Sequence, residues 1–139
     1  MHAMLLSLLI TLTVARTSYS EELVVIVHAE RKVEPSVQDI AQIYLKKRRF
    51  WSDGAPIVPV NRDAKSRARQ FFVRAVFGAE LRQLVVYWNR EYFRGVLPPA
   101  TLASDEAVRR FVASEPRAIG YIHPSAVDDS VKIAARLGD

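Results

Sequence analysis

The segment that joins a short apolar strand to a helix, residues 58–68, carries the side chains best suited to chemistry. It reads Val-Pro-Val-Asn-Arg-Asp-Ala-Lys-Ser-Arg-Ala. The start of a helix offers unpaired backbone N–H groups and the positive end of the helix dipole, which together suit an anion. Arg62 adds a planar guanidinium that can pair with an oxyanion, and Ser66 adds a hydroxyl donor. The pattern indicates either an oxyanion site or an ordinary strand-to-helix turn with a surface arginine.

Other chemistries have little support in the sequence. The chain has no cysteine, which excludes thiol catalysis, cysteine-ligated zinc and iron–sulfur clusters. His28 and His123 end two predicted strands and could lie near each other at one sheet edge, but no third ligand stands at metal-site spacing. No serine lies in a G-x-S-x-G elbow. We therefore expect a binding protein rather than an enzyme, with no metal and no cofactor.

Residues 1–20 are predicted to be a secretory signal peptide. Residues 4–15 are a mostly apolar run that is too short to span a bilayer but suits the apolar region of a signal. Ser18 and Ser20 place small residues before a cut at Glu21, and a cut after Ala15 is the alternative. The start of the chain carries little positive charge, which leaves an uncleaved anchor or a buried helix as other readings. A cleaved signal predicts a periplasmic protein.

Residues 21–139 are predicted to form a single domain that can fold without disulfides. Without the signal the chain keeps 19 basic and 15 acidic residues. This mild basic excess fits an anionic ligand or an anionic membrane surface better than a nucleic acid. The basic run 46–49, followed by Phe50 and Trp51, could bind headgroups or nucleic acid, but a solvated helix end explains it better.

The pattern of apolar residues predicts an α/β domain. A continuous β-branched run at 23–28 is typical of a strand that is covered on both faces. Ser36 and Asp39 form a capping box before a helix with an apolar stripe. Trp51 and Trp88 are expected to be buried structural residues. Further strands are predicted at 57–60, 118–122 and 131–134, and further helices at 64–77, 79–93 and from Ser104. This order predicts a mixed sheet flanked by helices.

Several short motifs follow one another in a fixed order along residues 23–127. They are Ile-Ala-Gln-Ile-Tyr-Leu-Lys-Lys at 40–47, Trp-Ser-Asp-Gly at 51–54, Val-Pro-Val-Asn-Arg-Asp at 58–63, the pair Phe71 and Phe72, Trp88, and Ala-Ile-Gly-Tyr-Ile at 118–122. Together they resemble the phosphate-binding periplasmic proteins of ABC transporters. The resemblance implies one lobe of a type 2 periplasmic binding protein.

The resemblance also implies a site. Arg62 falls on the family's phosphate-pairing arginine and Ser66 on its hydroxyl donor, and we include the neighbouring Asp63 and Lys65 in the candidate site. Two features depart from the family. Its Gly-Ser-Gly-Thr is replaced by Lys-Ser-Arg-Ala at 65–68, and the chain is much shorter than receptors that close two lobes over the ligand.

Two functions therefore stay open. The first is an exported domain that binds phosphate or a related oxyanion for a membrane transporter or sensor. The second is a non-catalytic envelope interaction module of the same fold whose ligand site has degenerated. Retention of Arg62 and Ser66 favours the first, and the replacement of the glycines by Lys65 and Arg67 favours the second.

Overall fold

The structure is a computed structural model that describes Thr13 and residues 22–138. The predicted signal peptide and its cleavage site therefore lie outside the described residues, apart from Thr13. Within the described part of the chain, no helix combines the length and the apolar character needed to cross a membrane.

Residues 22–138 form a five-stranded mixed sheet with helices on both faces, which confirms the predicted α/β class. The strand order is β3-β2-β4-β1-β5. Strand β2 runs parallel to β3 and β4, whereas β1 runs antiparallel to β4 and β5. The elements are β1 (Glu22–His28), α1 (Val37–Tyr44), β2 (Val58–Arg62), α2 (Arg67–Phe77), α3 (Leu81–Phe93), β3 (Ala100–Leu102), α4 (Asp105–Ser114), β4 (Ala118–Ile122) and β5 (Val131–Gly138).

The alternating side chains of β1 divide the core into two layers. Val25 and Val27 pack in a cluster with α1 and α2, whereas Val24 and Ile26 pack in a second cluster with α4. Successive side chains of a strand point to opposite faces, so an all-apolar strand needs cover on both. The sheet thus separates α2 from α4, and this placement decides where the side chains of β2 can reach.

Local capping explains the helix boundaries that differ from the sequence expectation. Helix α1 has the predicted Ser36–Asp39 capping box but ends at Tyr44, so the basic run 46–49 follows the helix. Helix α2 begins at Arg67 because Ser66 is its N-cap. Strand β3 was not predicted from the sequence, since it is only three residues long and pairs only with β2.

The two strand-end histidines do not lie near each other, so that part of the expectation is wrong. Strands β1 and β4 are antiparallel, with Val24 opposite Ile122 and Val27 opposite Ile119. His28 therefore follows one end of this pair and His123 the other. At about 3.4 Å per residue they are separated by roughly 17 Å along the strands.

The two tryptophans differ in burial. Trp51 is buried as predicted, and its indole N–H donates to the carbonyl oxygen of Arg117 at 3.0 Å. Trp88 is only half-buried. Helix α3 leaves Val85 and Tyr92 exposed as well. It contacts α2, but none of its apolar side chains is fully buried by residues 22–138.

Candidate functional site

The carboxyl ends of β2, β3 and β4 meet at one edge of the sheet because the three strands are parallel. Helix α2 begins after β2 on one face, and α4 begins after β3 on the other. This edge of an open α/β sheet, where helices diverge to opposite faces, is the usual place for a ligand. Two helix N-termini therefore approach the end of β2, where Arg62 stands.

The guanidinium of Arg62 points toward the start of α4. Its Nη1 donates to Oδ1 of Asp105, the first residue of that helix, and Nη2 donates to the carbonyl oxygen of Ala103 at 3.4 Å. Oδ2 of Asp105 accepts the backbone N–H of His123 at 3.2 Å. The Arg62 side chain is 13% exposed, and its buried Nε has no hydrogen-bond partner among the described residues. The arginine is thus held in place but keeps unused donor capacity.

The other three predicted site residues form a single turn before α2. The hydroxyl of Ser66 accepts the backbone N–H of Arg69 at 3.1 Å and donates to the carbonyl oxygen of Asp63 at 2.7 Å. The carboxylate of Asp63 accepts the backbone N–H of Lys65 at 3.3 Å. The Lys65 side chain is exposed. The structure therefore brings Ser66, Asp63 and Lys65 together but directs the Arg62 guanidinium to α4 instead.

A buried polar network fixes the end of β2, and few features of the sequence indicate it. The hydroxyl of Tyr121 donates to Oδ1 of Asn61 at 2.7 Å and accepts the backbone N–H of Arg62 at 3.1 Å. Arg69 returns from α2 to donate to the carbonyl oxygen of Arg62 at 2.9 Å. An amide side chain inside an apolar strand was the available signal, because a buried amide needs a partner. Asp105 offers no comparable signal, because an acidic residue in the first turn of a helix is common.

Burial keeps two tyrosine hydroxyls neutral beside this network. Burial raises the pKa of Tyr121 to about 12, more than the neighbouring arginines lower it. Burial, and next the proximity of Tyr121, raises the pKa of Tyr44 well above its ordinary value. The Tyr44 hydroxyl donates to the carbonyl oxygen of Val60 at 2.9 Å. Both groups act as fixed hydrogen-bonding groups at neutral pH, not as bases.

The geometry of this edge suits an open anion site more than a closed one. A cavity bordered by Asn61, Arg69 and Trp88 has a volume of only about 10 Å³. That is at most the room of one water molecule. Across residues 22–138, no three histidine, cysteine or acidic side chains are grouped as a metal ion would need.

We compared the chain with known proteins by sequence and by structure. No protein-family model matches the sequence. A search of curated proteins likewise found no match. Among solved structures, a phosphate ABC transporter substrate-binding protein from Clostridium perfringens with bound phosphate matches 81% of this chain at 27% identity, with a TM-score of 0.63. The chain has the fold of the phosphate receptors of ABC transporters.

Two further receptor structures agree with this assignment of the fold. An ABC-type phosphate transport receptor from Vibrio cholerae matches 80% of the chain at 21% identity, with a TM-score of 0.64. PstS from Borrelia burgdorferi matches 84% at 15% identity, with a TM-score of 0.63. The match spans 46%, 44% and 50% of these three receptors, respectively. The predicted resemblance is confirmed, and a chain that matches about half of a phosphate receptor is consistent with a one-lobe relative.

Proposed function

We propose that this chain is an exported, non-catalytic domain that binds phosphate or a related oxyanion at the end of β2. The buried Nε of Arg62 carries the proposal, since it is an arginine donor without a partner at an edge where two helices begin. Buried donors are normally satisfied, and an oxyanion is a partner that matches both the charge and the planar fork of a guanidinium.

Asp105 does not satisfy the whole guanidinium, because it accepts a hydrogen bond only from Nη1. Nε is unpartnered, and Nη2 makes a long hydrogen bond to Ala103. The Asp105 carboxylate also repels an anion, so it limits affinity and orients the guanidinium at the same time. In this proposal Asp105 is a positioning residue and Arg62 is the principal charged contact.

The turn before α2 supplies the remaining contacts. The backbone amides at the start of α2 follow Ser66, and the exposed Lys65 adds positive charge near them. The hydroxyl proton of Ser66 points to Asp63 in the free protein, so Ser66 must turn its hydroxyl before it can donate to a ligand. Asp63 holds the turn through its carboxylate and its carbonyl group.

The comparisons support phosphate as the first ligand to test, because the similar Clostridium perfringens protein carries it. Ligand sites usually bury most of the ligand, and the cavity bordered by Asn61, Arg69 and Trp88 is too small to enclose a phosphate. We therefore expect weak binding, with transfer to a membrane transporter or sensor in the periplasm. This role would use no cofactor, and nucleic acid is not an expected partner.

A second function, an envelope interaction module, is favoured by one specific observation. The donor of Ser66 is already used within the chain, and Lys65 and Arg67 stand where a phosphate site of this fold would have glycines. If these changes abolish anion binding, the same fold would serve only to dock onto another envelope protein.

Thermal unfolding in the presence of anions separates the two functions. A ligand that binds only the native state raises the melting temperature by mass action. We expect inorganic phosphate to raise the melting temperature of the wild type but not of Arg62→Ala. Arg82→Ala is the matched control, because Arg82 is an exposed arginine on α3, far along the chain from the site. No shift of the wild type with phosphate or sulfate would favour the interaction module, whereas equal shifts in both variants would mean that the anion binds away from Arg62.

A further inference from the structure

An open groove lies at the opposite end of β2 from Arg62. It is formed by the end of α1, the start of β2 and the segment after α3, and its volume is about 460 Å³. The buried side chain of Ile43 and the half-buried Ile57 line its apolar part. Phe50 and Leu97 stand at the groove with 59% and 60% of their surface exposed. Two large apolar side chains exposed this far are unusual beside one groove and mark an interaction surface.

Cations surround the same groove. Lys46, Arg48 and Arg49 line it directly. Lys47 and Arg90 lie over the neighbouring ring of Tyr87, at 5.8 and 5.6 Å from its centroid. We call this surface the basic groove. Its cations are the three that line it and three beside it, around Tyr87: Lys46, Arg48 and Arg49, and Lys47, Arg90 and Arg94.

Few acids balance the basic groove. Asp39 pairs with Arg48 at 3.3 Å. Glu91 pairs with Arg90 at 3.8 Å and with Arg94 at 3.6 Å. Six cations against these two carboxylates leave an excess of four charges, most of the formal +5 of the whole chain. This excess of positive charge favours an anionic occupant.

The charge excess also argues against a second copy of the chain as the occupant. A two-fold dimer would place each basic groove against itself, and the like charges would repel. Small inorganic anions would use the cations but not Phe50 and Leu97. A bilayer that contains anionic phospholipids uses both, because its headgroups attract lysine and arginine while its interface accepts aromatic and aliphatic side chains.

We propose that the basic groove docks this domain onto a membrane surface rich in anionic phospholipid. Phe50 and Leu97 enter the headgroup region, and the surrounding cations pair with lipid phosphates. The groove volume falls within the range of small-ligand sites, so it accommodates part of one lipid molecule. Strand β2 is roughly 13 Å long at about 3.3 Å per residue, so a docked domain presents the Arg62 edge away from the bilayer.

The state of Lys46 supports this docking. Partial burial, and next the proximity of Arg49, lowers the pKa of the Lys46 ammonium. Among residues 22–138, no carboxylate lies within ion-pair distance of Lys46 or Lys47. A lipid phosphate would supply the missing counter-charge. This proposal is independent of the oxyanion site, because the two surfaces share no residue.

Co-sedimentation of the whole chain with lipid vesicles tests the proposal. One set of vesicles is pure phosphatidylcholine, and the other contains equal parts of phosphatidylcholine and phosphatidylglycerol. We expect binding to the anionic vesicles only, weakening as salt rises. All proteins compared carry the same N-terminus, so any membrane affinity of residues 1–20 is common to them.

The variants separate charge from apolar insertion. Each lysine or arginine near the surface of an anionic membrane strengthens binding. The loss of two lysines in Lys46→Gln/Lys47→Gln should therefore weaken binding roughly thirtyfold. Lys32→Gln/Lys132→Gln removes the same charge from exposed positions elsewhere and should have a much smaller effect. Phe50→Ser/Leu97→Ser should also weaken binding, whereas Val86→Ser, at a position that is 71% exposed on α3, should not.

Three results would overturn the proposal. The first is equal binding to both kinds of vesicle, and the second is an equal loss of vesicle binding in the groove variants and their controls. The third is no binding to anionic vesicles together with binding to poly-glutamate. The last result would instead indicate an acidic protein partner. Thermal unfolding of each variant shows whether a loss comes from misfolding, and because the lysine and the apolar variants are made independently, either can decide the question.

Discussion

Arg62 and Asp105 join the last residue of β2 to the first residue of α4 through a charge-assisted hydrogen bond. The pair is largely buried, with side chains that are 13% and 28% exposed. It crosses from the sheet to the helix on the α4 face, while Asn61 points to the α2 face, where it meets Tyr121. One strand end is thus fixed from both sides, which holds the buried Nε of Arg62, without a partner among the described residues, in a defined position.

Tyr121→Phe should destabilise the protein by about 1–3 kcal/mol, because it leaves buried polar groups of Asn61 and Arg62 without a partner. Urea unfolding at neutral pH measures the change. Tyr92→Phe, at an exposed tyrosine of α3, controls for the loss of a hydroxyl outside the network. A cost for Tyr121→Phe below about 0.5 kcal/mol would show that the network contributes little.

Stability should fall at alkaline pH because the folded pKa of Tyr121 is raised from 10.0 to about 12. Because the pKa is raised in the folded state, the contribution of the neutral Tyr121 hydroxyl to stability is complete below pH 10 and is lost as the pH rises through 12. Melting temperature measured across this range should decline less steeply in Tyr121→Phe than in the wild type. Parallel curves for the two proteins would contradict the burial of this hydroxyl.

At acid pH, Glu115→Gln should flatten the loss of stability. The side chain and then the backbone N–H of Arg117 lower the pKa of Glu115 from 4.5 to about 2. Because the pKa is lowered in the folded state, the contribution of the Glu115 carboxylate to stability is present above pH 4.5 and is lost as the pH falls toward 2. Melting curves across that interval compare the variant with Glu106→Gln, a control at an exposed carboxylate. An unchanged slope in Glu115→Gln would argue against the pairing with Arg117.

Gly120→Ala should be destabilising by about 1–3 kcal/mol through overpacking. A Cβ atom at this position would lie 2.5 Å from Cγ1 of Val108 and 3.2 Å from Cγ2 of Val60. The combination with Val108→Ala should cost less than the sum of the two single changes, since the second change makes room for the first. Strict additivity in denaturant unfolding would show that α4 moves away instead.

Trp51→Ala should cost about 3–5 kcal/mol because the side chain is fully packed and hydrogen-bonded. Trp88→Ala should cost clearly less, since Trp88 is half-buried. Denaturant unfolding of the two variants compares them directly. Equal losses would mean that something outside residues 22–138 covers α3.

Local signals predicted much of the fold. The Ser36–Asp39 box, the Ser104 cap and the continuous apolar run of β1 each specify an element through nearest neighbours. Strand pairing was harder, because β3 is short and the direction of β1 relative to β4 depends on the whole topology. That direction is what separated His28 from His123.

The arrangement of the candidate site could be predicted only in part. Asp63, Lys65 and Ser66 are close in sequence, and the turn they form is local. The residues that position Arg62 come from distant elements, with Asp105 from α4 and Tyr121 from β4. Single-sequence reasoning has no means to bring those residues together before the strand order is known.

The proposed role of Arg62 is tested most directly by calorimetric titration of inorganic phosphate into the wild type, Arg62→Ala and Arg62→Lys. A charge-assisted hydrogen bond contributes roughly 1.5–3 kcal/mol, so Arg62→Ala should weaken binding by about one to two orders of magnitude. Arg62→Lys should recover only part of the affinity, because an ammonium lacks the planar fork. Ser66→Ala should cost about 1 kcal/mol of binding. Phosphate binding by the wild type that is weakened most in Arg62→Ala and less in Arg62→Lys would support the oxyanion site. No heat of binding at millimolar phosphate, or equal affinity in the wild type and Arg62→Ala, would contradict it.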